Sequence, residues 1–131
     1  MKKILLALIF LTVLATGMVF AEGNSEQRSR EKYDKRGFVD RSDWLYEFNS
    51  VAAKAVDSAK YVTGEKQSYS GTSMYKTMFD DYCVNYKVLL DIGVERGFID
   101  DRTRKQQIDK LVAERDKVSK YLAQQSSGLG L

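Results

Sequence analysis

Apolar side chains recur every three or four residues over three long stretches of the chain, which is the spacing of one face of an α-helix. The stretches predict helices from about Asp43 to Val62, from about Ser73 to Arg96 and from about Asp101 to Gln124. Proline, which would remove a helical hydrogen-bond donor, does not occur in the sequence. We therefore predict an all-α fold in which residues 42–124 form a three-helix up-down-up bundle.

Polar residues and glycines mark where these helices begin and end. Ser42 is the expected N-cap of the first helix, with Asp40 as the other candidate, and Gly64 suits its C-cap. Gly97 is expected to end the second helix, and Asp100 to cap the third.

A five-residue pattern occurs twice, as Arg-Gly-Phe-Val-Asp at 36–40 and as Arg-Gly-Phe-Ile-Asp at 96–100. Apolar residues follow both copies at the same offsets. One interpretation is a duplicated binding unit. The other is a single helix-stop and helix-start device used twice, and we favour it because similar turns require similar side chains.

Residues 1–21 have the pattern of a cleavable export signal. Lys2 and Lys3 precede an apolar stretch, residues 4–14, in which only Thr12 is polar, and Val19-Phe20-Ala21 ends the segment with small residues at the cleavage positions. The alternative is an uncleaved anchor, because residues 4–21 are 18 uncharged positions at the short limit of a membrane span. We expect export to the periplasm or beyond the cell, with membrane attachment only through an uncleaved signal.

The segments that flank the predicted bundle are polar. Residues 22–36 carry nine charges and a single large apolar side chain, Tyr33, so residues 22–41 are predicted to be a charged tether or a frayed surface helix. Residues 125–131, which contain two glycines, are predicted to be a flexible tail.

Charge and composition exclude several classes of function. The net charge is +3, but Lys2 and Lys3 belong to the predicted signal, which leaves 19 basic and 18 acidic residues in the mature chain. This balance argues against nucleic acid as a partner. Histidine is absent, and the single cysteine, Cys83, cannot form an internal disulfide. We therefore expect no catalytic residues, no metal and no cofactor.

Two surfaces are candidates for binding a protein partner or a second copy of the chain. The predicted second helix has more apolar surface than two neighbours would cover, and the predicted first helix carries tyrosines away from its core face. The candidate residues are Tyr46, Ala53 and Tyr61 on the first helix and Val84, Val88 and Ile92 on the second.

Arg115 is the one charged residue in the apolar seam of the third helix, between Leu111 and Val118. It is a candidate for binding an anion or forming an ion pair, although at such a position the methylenes more often cover the seam while the guanidinium reaches water. Taken together, the sequence favours a non-catalytic binding or assembly role in the cell envelope or outside the cell. The alternative is a secreted effector or an enzyme that uses carboxylates and tyrosines.

The export pattern makes a prediction about processing. Because the small residues that a signal peptidase requires end at Ala21, mature protein from the native host should begin at Glu22. Intact-mass and N-terminal peptide mass spectrometry would measure this. Molecules that retain Met1 as the main species would instead indicate the uncleaved anchor.

Overall fold

Four helices make up the part of the protein that the computed structural model describes, residues 24–67 and 72–129. They are α1 (24–36), α2 (Arg41–Thr63), α3 (Thr72–Glu95) and α4 (Asp101–Leu129), and no strand occurs among the described residues. The predicted all-α class is confirmed. The number of helices is four rather than three, and the predicted signal, residues 1–21, lies outside the described residues.

Contacts between the helices define an up-down-up-down arrangement. Residues late in α2 meet residues early in α3, as in the stacked pair Tyr61 and Tyr75, so these two helices are antiparallel. The α1 helix is parallel to α3, since Glu26 pairs with Lys87 and Arg30 with Glu95 further along both helices.

The additional helix, α1, comes from the segment predicted to be a tether or a frayed helix. Its Tyr33 is only 1% exposed, stacks on Phe38 and donates a hydrogen bond from its hydroxyl to Glu47 at 3.3 Å. Ser29 is also buried and donates to Asn85 at 2.7 Å. A count of apolar residues missed this helix because polar side chains make most of its contacts.

The helix ends follow the predicted chemistry with one change. The α2 helix is capped by Asp40, whose carboxylate accepts from the Asp43 amide at 2.9 Å, and not by Ser42, which lies inside the helix. Gly64 ends α2 in the left-handed region at φ 81°. Asp100 caps α4 by accepting from the Thr103 amide at 2.8 Å, as predicted.

In both copies of the repeated pattern, at 36–40 and 96–100, a left-handed glycine follows the end of one helix and an aspartate caps the start of the next. Hydrogen bonds also join the two turns. Arg96 donates to the backbone carbonyl of Phe38 at 2.9 Å, and Arg41 donates to that of Phe98 at 3.0 Å. The structure therefore supports the interpretation of the repeat as one helix-stop and helix-start device used twice.

The core centres on Trp44, which joins α2 to α3. Its indole N–H donates to the carbonyl of Leu89 at 2.7 Å, and its ring is stacked on Phe48 with centroids 5.4 Å apart. Gly93 lies directly against this ring, because a Cβ added there would come within 2.6 Å of an indole carbon. Only glycine allows α3 to approach α2 this closely.

The last helix, α4, differs from the prediction at its end. It continues to Leu129, where a flexible tail had been expected from Gln125. Among its described side chains, Leu111 and Val118 are buried, whereas the neighbouring Val112 is 46% exposed. The α4 helix therefore packs on the rest of the bundle along one narrow stripe.

The contact between Trp44 and Gly93 makes a prediction about stability. Alanine in a helix interior is ordinarily more stable than glycine. Gly93→Ala should instead destabilise the protein by about 1–3 kcal/mol, because its methyl group would overlap the indole ring. Urea unfolding followed by circular dichroism would measure the change, with the exposed helical substitution Ser119→Ala as the control. A Gly93→Ala protein as stable as the control would contradict this packing.

Candidate binding surfaces

The apolar strip on α3 that was predicted to bind a partner is largely covered within the chain. Val88 and Ile92 are each 4% exposed, and Val84 is half-buried. Polar residues of α1 contact α3 at Asn85, before Val88, and at Glu95, beyond Ile92. The prediction of an exposed surface is therefore wrong for Val88 and Ile92, and Val88 lies beside residues of α1, whereas Val84 lines an open cleft.

The tyrosines predicted as one surface of α2 have different surroundings. Tyr46 is 77% exposed and Ala53 is exposed. Tyr61 is half-buried and stacks on Tyr75, with ring centroids 4.4 Å apart and planes within 16°. The ammonium group of Lys66 lies 5.7 Å from the Tyr61 ring. Tyr61 therefore belongs to an internal contact, which leaves Tyr46 and Ala53 available at the surface.

An open groove of about 640 Å³ runs between α2 and α4 and includes Ala53. Its floor contains Tyr86, whose hydroxyl donates to the backbone carbonyl of Gln107 at 2.8 Å. The walls are formed by small apolar side chains, namely Ala52, Ala53, Ala55, Val56, Leu111 and Ala113. This surface will here be called the α2–α4 groove.

Charged side chains form the rim of the α2–α4 groove. Asp57 and Lys60 lie on α2, and Lys110 and Glu114 lie on α4, so each wall contributes one acid and one base. Asp57 also pairs with Lys66, and its hydrogen bond raises the pKa of the Lys66 ammonium group. The rim has no net charge.

Sequence reasoning identified Ala53 but not the groove to which it belongs. The groove requires residues from two helices that are about sixty positions apart in the chain. The available signal was the concentration of alanines on α2. Ala52, Ala53 and Ala55 all line the groove, although Ala55 is buried, Ala52 is half-buried and Ala53 is exposed.

Arg115 lies at the edge of a second cleft, of about 390 Å³, where α1, α3 and α4 meet. The cleft also contains the ion pairs of Lys76 with Asp80, at 2.6 Å, and of Lys87 with Glu26, at 2.7 Å. Among the described residues, every buried side-chain nitrogen or oxygen has a hydrogen-bond partner. Four charged side chains of this cleft are thus engaged in ion pairs, and Arg115 itself takes part in an interaction.

The titratable groups with shifted pKa values have structural explanations. Burial, followed by the nearby Glu47, raises the pKa of Tyr33 well above its usual range, and burial raises the pKa of Tyr86 to about 12. The hydrogen bond from Arg30 lowers the pKa of Glu95, and the hydrogen bonds from Thr103 lower that of Asp100. Both buried phenols are protonated at neutral pH, so they donate hydrogen bonds and are poor bases.

Comparisons with known proteins do not assign the chain to a family. No family model, no curated protein and no solved structure matches the chain. Within residues 24–67 and 72–129, no group of three or more acidic or cysteine side chains is placed to hold a metal ion. None of the helices in the same ranges combines the length and apolar character needed to cross a bilayer.

The two buried phenols make a prediction about alkaline pH. The folded-state pKa of each lies above the unfolded value of about 10. Their contribution to stability is therefore complete below pH 10 and is lost as the pH rises towards the folded-state pKa. Urea midpoints should fall steeply above about pH 10. The fall should be smaller in Tyr33→Phe and Tyr86→Phe, whereas Tyr46→Phe, at an exposed tyrosine, should behave like the wild type. Equal pH dependence in all four proteins would contradict this explanation.

Proposed function

We propose that this protein is an exported, non-catalytic assembly protein, and that copies of the chain associate through the α2–α4 groove. The observation that carries the proposal is the groove itself: an open depression of about 640 Å³ with apolar walls and a charged rim. Exposed apolar surface of this kind is typical of sites where proteins associate.

The shape of the groove favours a protein surface over a small molecule. It is open, and five of its twelve lining residues are alanine or valine, whose side chains do not orient a ligand by hydrogen bonds. Small side chains instead allow another polypeptide backbone to approach closely. Tyr46, two turns before Ala53 on α2, offers a large amphipathic ring near the same surface.

The rim favours a second copy of the chain as the occupant. A two-fold dimer places the same patch on both sides of the interface, so the patch must be complementary to itself. One acid and one base on each wall are compatible with this requirement. Asp57 and Glu114, which also pair with Lys66 and Lys117 of their own chain, can face Lys60 and Lys110 of another copy. A net-neutral rim gives little attraction for nucleic acid or an anionic membrane.

Export is the other part of the proposal, and its support is the pattern in residues 1–21. Assembly outside the cytoplasm also suits a domain without internal disulfides, since association protects apolar surface that a small core cannot cover. The alternative, an effector or enzyme using carboxylates and tyrosines, gains no support from the described contacts. The carboxylates Asp80 and Glu26 are paired with lysines, and the buried phenols are protonated.

The proposal predicts how mass in solution responds to charge in the groove. Purified wild-type protein should have a mass above that of the monomer at tens of micromolar in light scattering. Ala53→Glu on α2 and Ala113→Glu on α4 should each lower the apparent association constant at least about tenfold, because burying an unpaired carboxylate is costly.

Ala123→Glu is the matched control, because Ala123 is an exposed α4 residue outside the groove. It should leave the mass unchanged. A monomeric wild type at these concentrations would contradict self-association. A dimer that survives both groove substitutions would show that the copies meet elsewhere. A monomer whose groove binds another protein, with loss of binding in Ala113→Glu, would identify a different occupant.

A further inference from the structure

The first part of α1, residues 24–32, is attached to the rest of the protein by polar contacts. Glu26 pairs with Lys87 at 2.7 Å, Ser29 donates to Asn85 at 2.7 Å, and Arg30 forms a two-pronged contact with Glu95. Ser29 is the only buried residue in this part of the helix. None of its side chains belongs to the apolar core.

The surface beneath these residues is apolar. Val84 borders the cleft formed with Ser25, Arg28 and Ser29, and Val88 borders the one formed with Gln27. Val88 belongs to the apolar core of the bundle, where it adjoins the fully buried Leu89 in sequence. The polar residues of α1 thus cover an apolar strip of α3, and their polar contacts with α3 lie around the edges of that strip.

The far end of α1 is fixed in a different way. Tyr33 is fully buried against Phe38, and the Gly37 turn follows immediately. Tyr33 and Phe38 therefore provide an apolar anchor next to a turn, whereas residues 24–32 have no such anchor. A helix fixed at one end by apolar packing and along its length by ion pairs can separate at the polar end first.

We infer that residues 24–32 act as a strap that opens away from α3 while α2, α3 and α4 stay folded, with Tyr33 and Phe38 as the pivot. Opening uncovers Val84 and Val88, so the closed strap masks an apolar strip on α3. Both ion pairs of the strap are partly exposed to solvent, with 35–55% of each side chain accessible, so dissolved salt weakens them. This inference is independent of the α2–α4 groove, which is built from other residues.

Hydrogen exchange of the whole purified protein, measured by mass spectrometry, tests the strap. Backbone amides of residues 28–32 should exchange at least about 100-fold faster than those around Leu89 and Leu90, since they need only local opening. Raising NaCl from about 0.01 M to about 1 M shortens the Debye length from about 30 Å to about 3 Å. It should speed exchange in residues 28–32 by about 2- to 10-fold and leave the Leu89 region nearly unchanged.

The double variant Glu26→Gln, Arg30→Gln removes both ion pairs between the strap and α3 without changing the net charge. It should show the fast exchange already at low salt and lose most of the salt response. Fluorescence of Trp44, the single tryptophan, reports whether the core remains folded.

The matched control is Glu31→Gln, Lys35→Gln, which makes the same charge change at exposed α1 positions. It should exchange like the wild type. The strap is refuted if residues 28–32 exchange at the same rate as the Leu89 region. It is also refuted if the two double variants exchange alike.

Discussion

The close approach of α2 to α3 at Trp44 and Gly93 fixes the positions of the other elements. The indole ring lies where a Cβ on residue 93 would be, and its N–H donates to the carbonyl of Leu89 one turn earlier on α3. Gly93 has a second role, because its own carbonyl accepts from the amides of Phe98 and Ile99 and so ends α3. One glycine therefore sets the distance between the central helices and the point at which the chain turns into α4. Any larger side chain there would disturb both.

The two turns, at 36–40 and 96–100, hold the helices together at one end of the bundle. In each turn a left-handed glycine ends one helix and an aspartate caps the next. Each turn therefore specifies a helical hairpin locally. The arginine contacts to Phe38 and Phe98 then join the two hairpins across the bundle. Trp44 lies just inside this end, with Phe98 tilted against it at a centroid distance of 6.0 Å. The end of the bundle near the turns is consequently its most connected part.

The outer helices are attached in contrasting ways, and both proposals depend on this contrast. The α4 helix buries Leu111 and Val118 but leaves a groove against α2, because the facing α2 residues are alanines and valine. The α1 helix covers its strip of α3 closely but does so with ion pairs and one serine hydrogen bond. The packing of α4 leaves an apolar groove open, whereas α1 covers an apolar strip of α3 through ion pairs that salt can weaken. Under the two proposals, the first surface is open at all times and the second only when residues 24–32 separate from α3.

The sequence by itself determined the helical class, most helix boundaries and the turn chemistry, because periodicity, glycine placement and caps are local properties. It also placed Leu111 and Val118 in the apolar seam of the last helix, where both are buried. Only the tertiary structure decided that residues 24–36 are a packed helix, since their contacts with Asn85, Lys87 and Glu95 are polar and distant in sequence. That helix lies beside Val88, which, like Ile92, is buried although both were predicted to form a binding surface. Likewise, Ala53 lines a groove only because α4 lies beside α2. A concave surface between two helices is not a property of either helix alone.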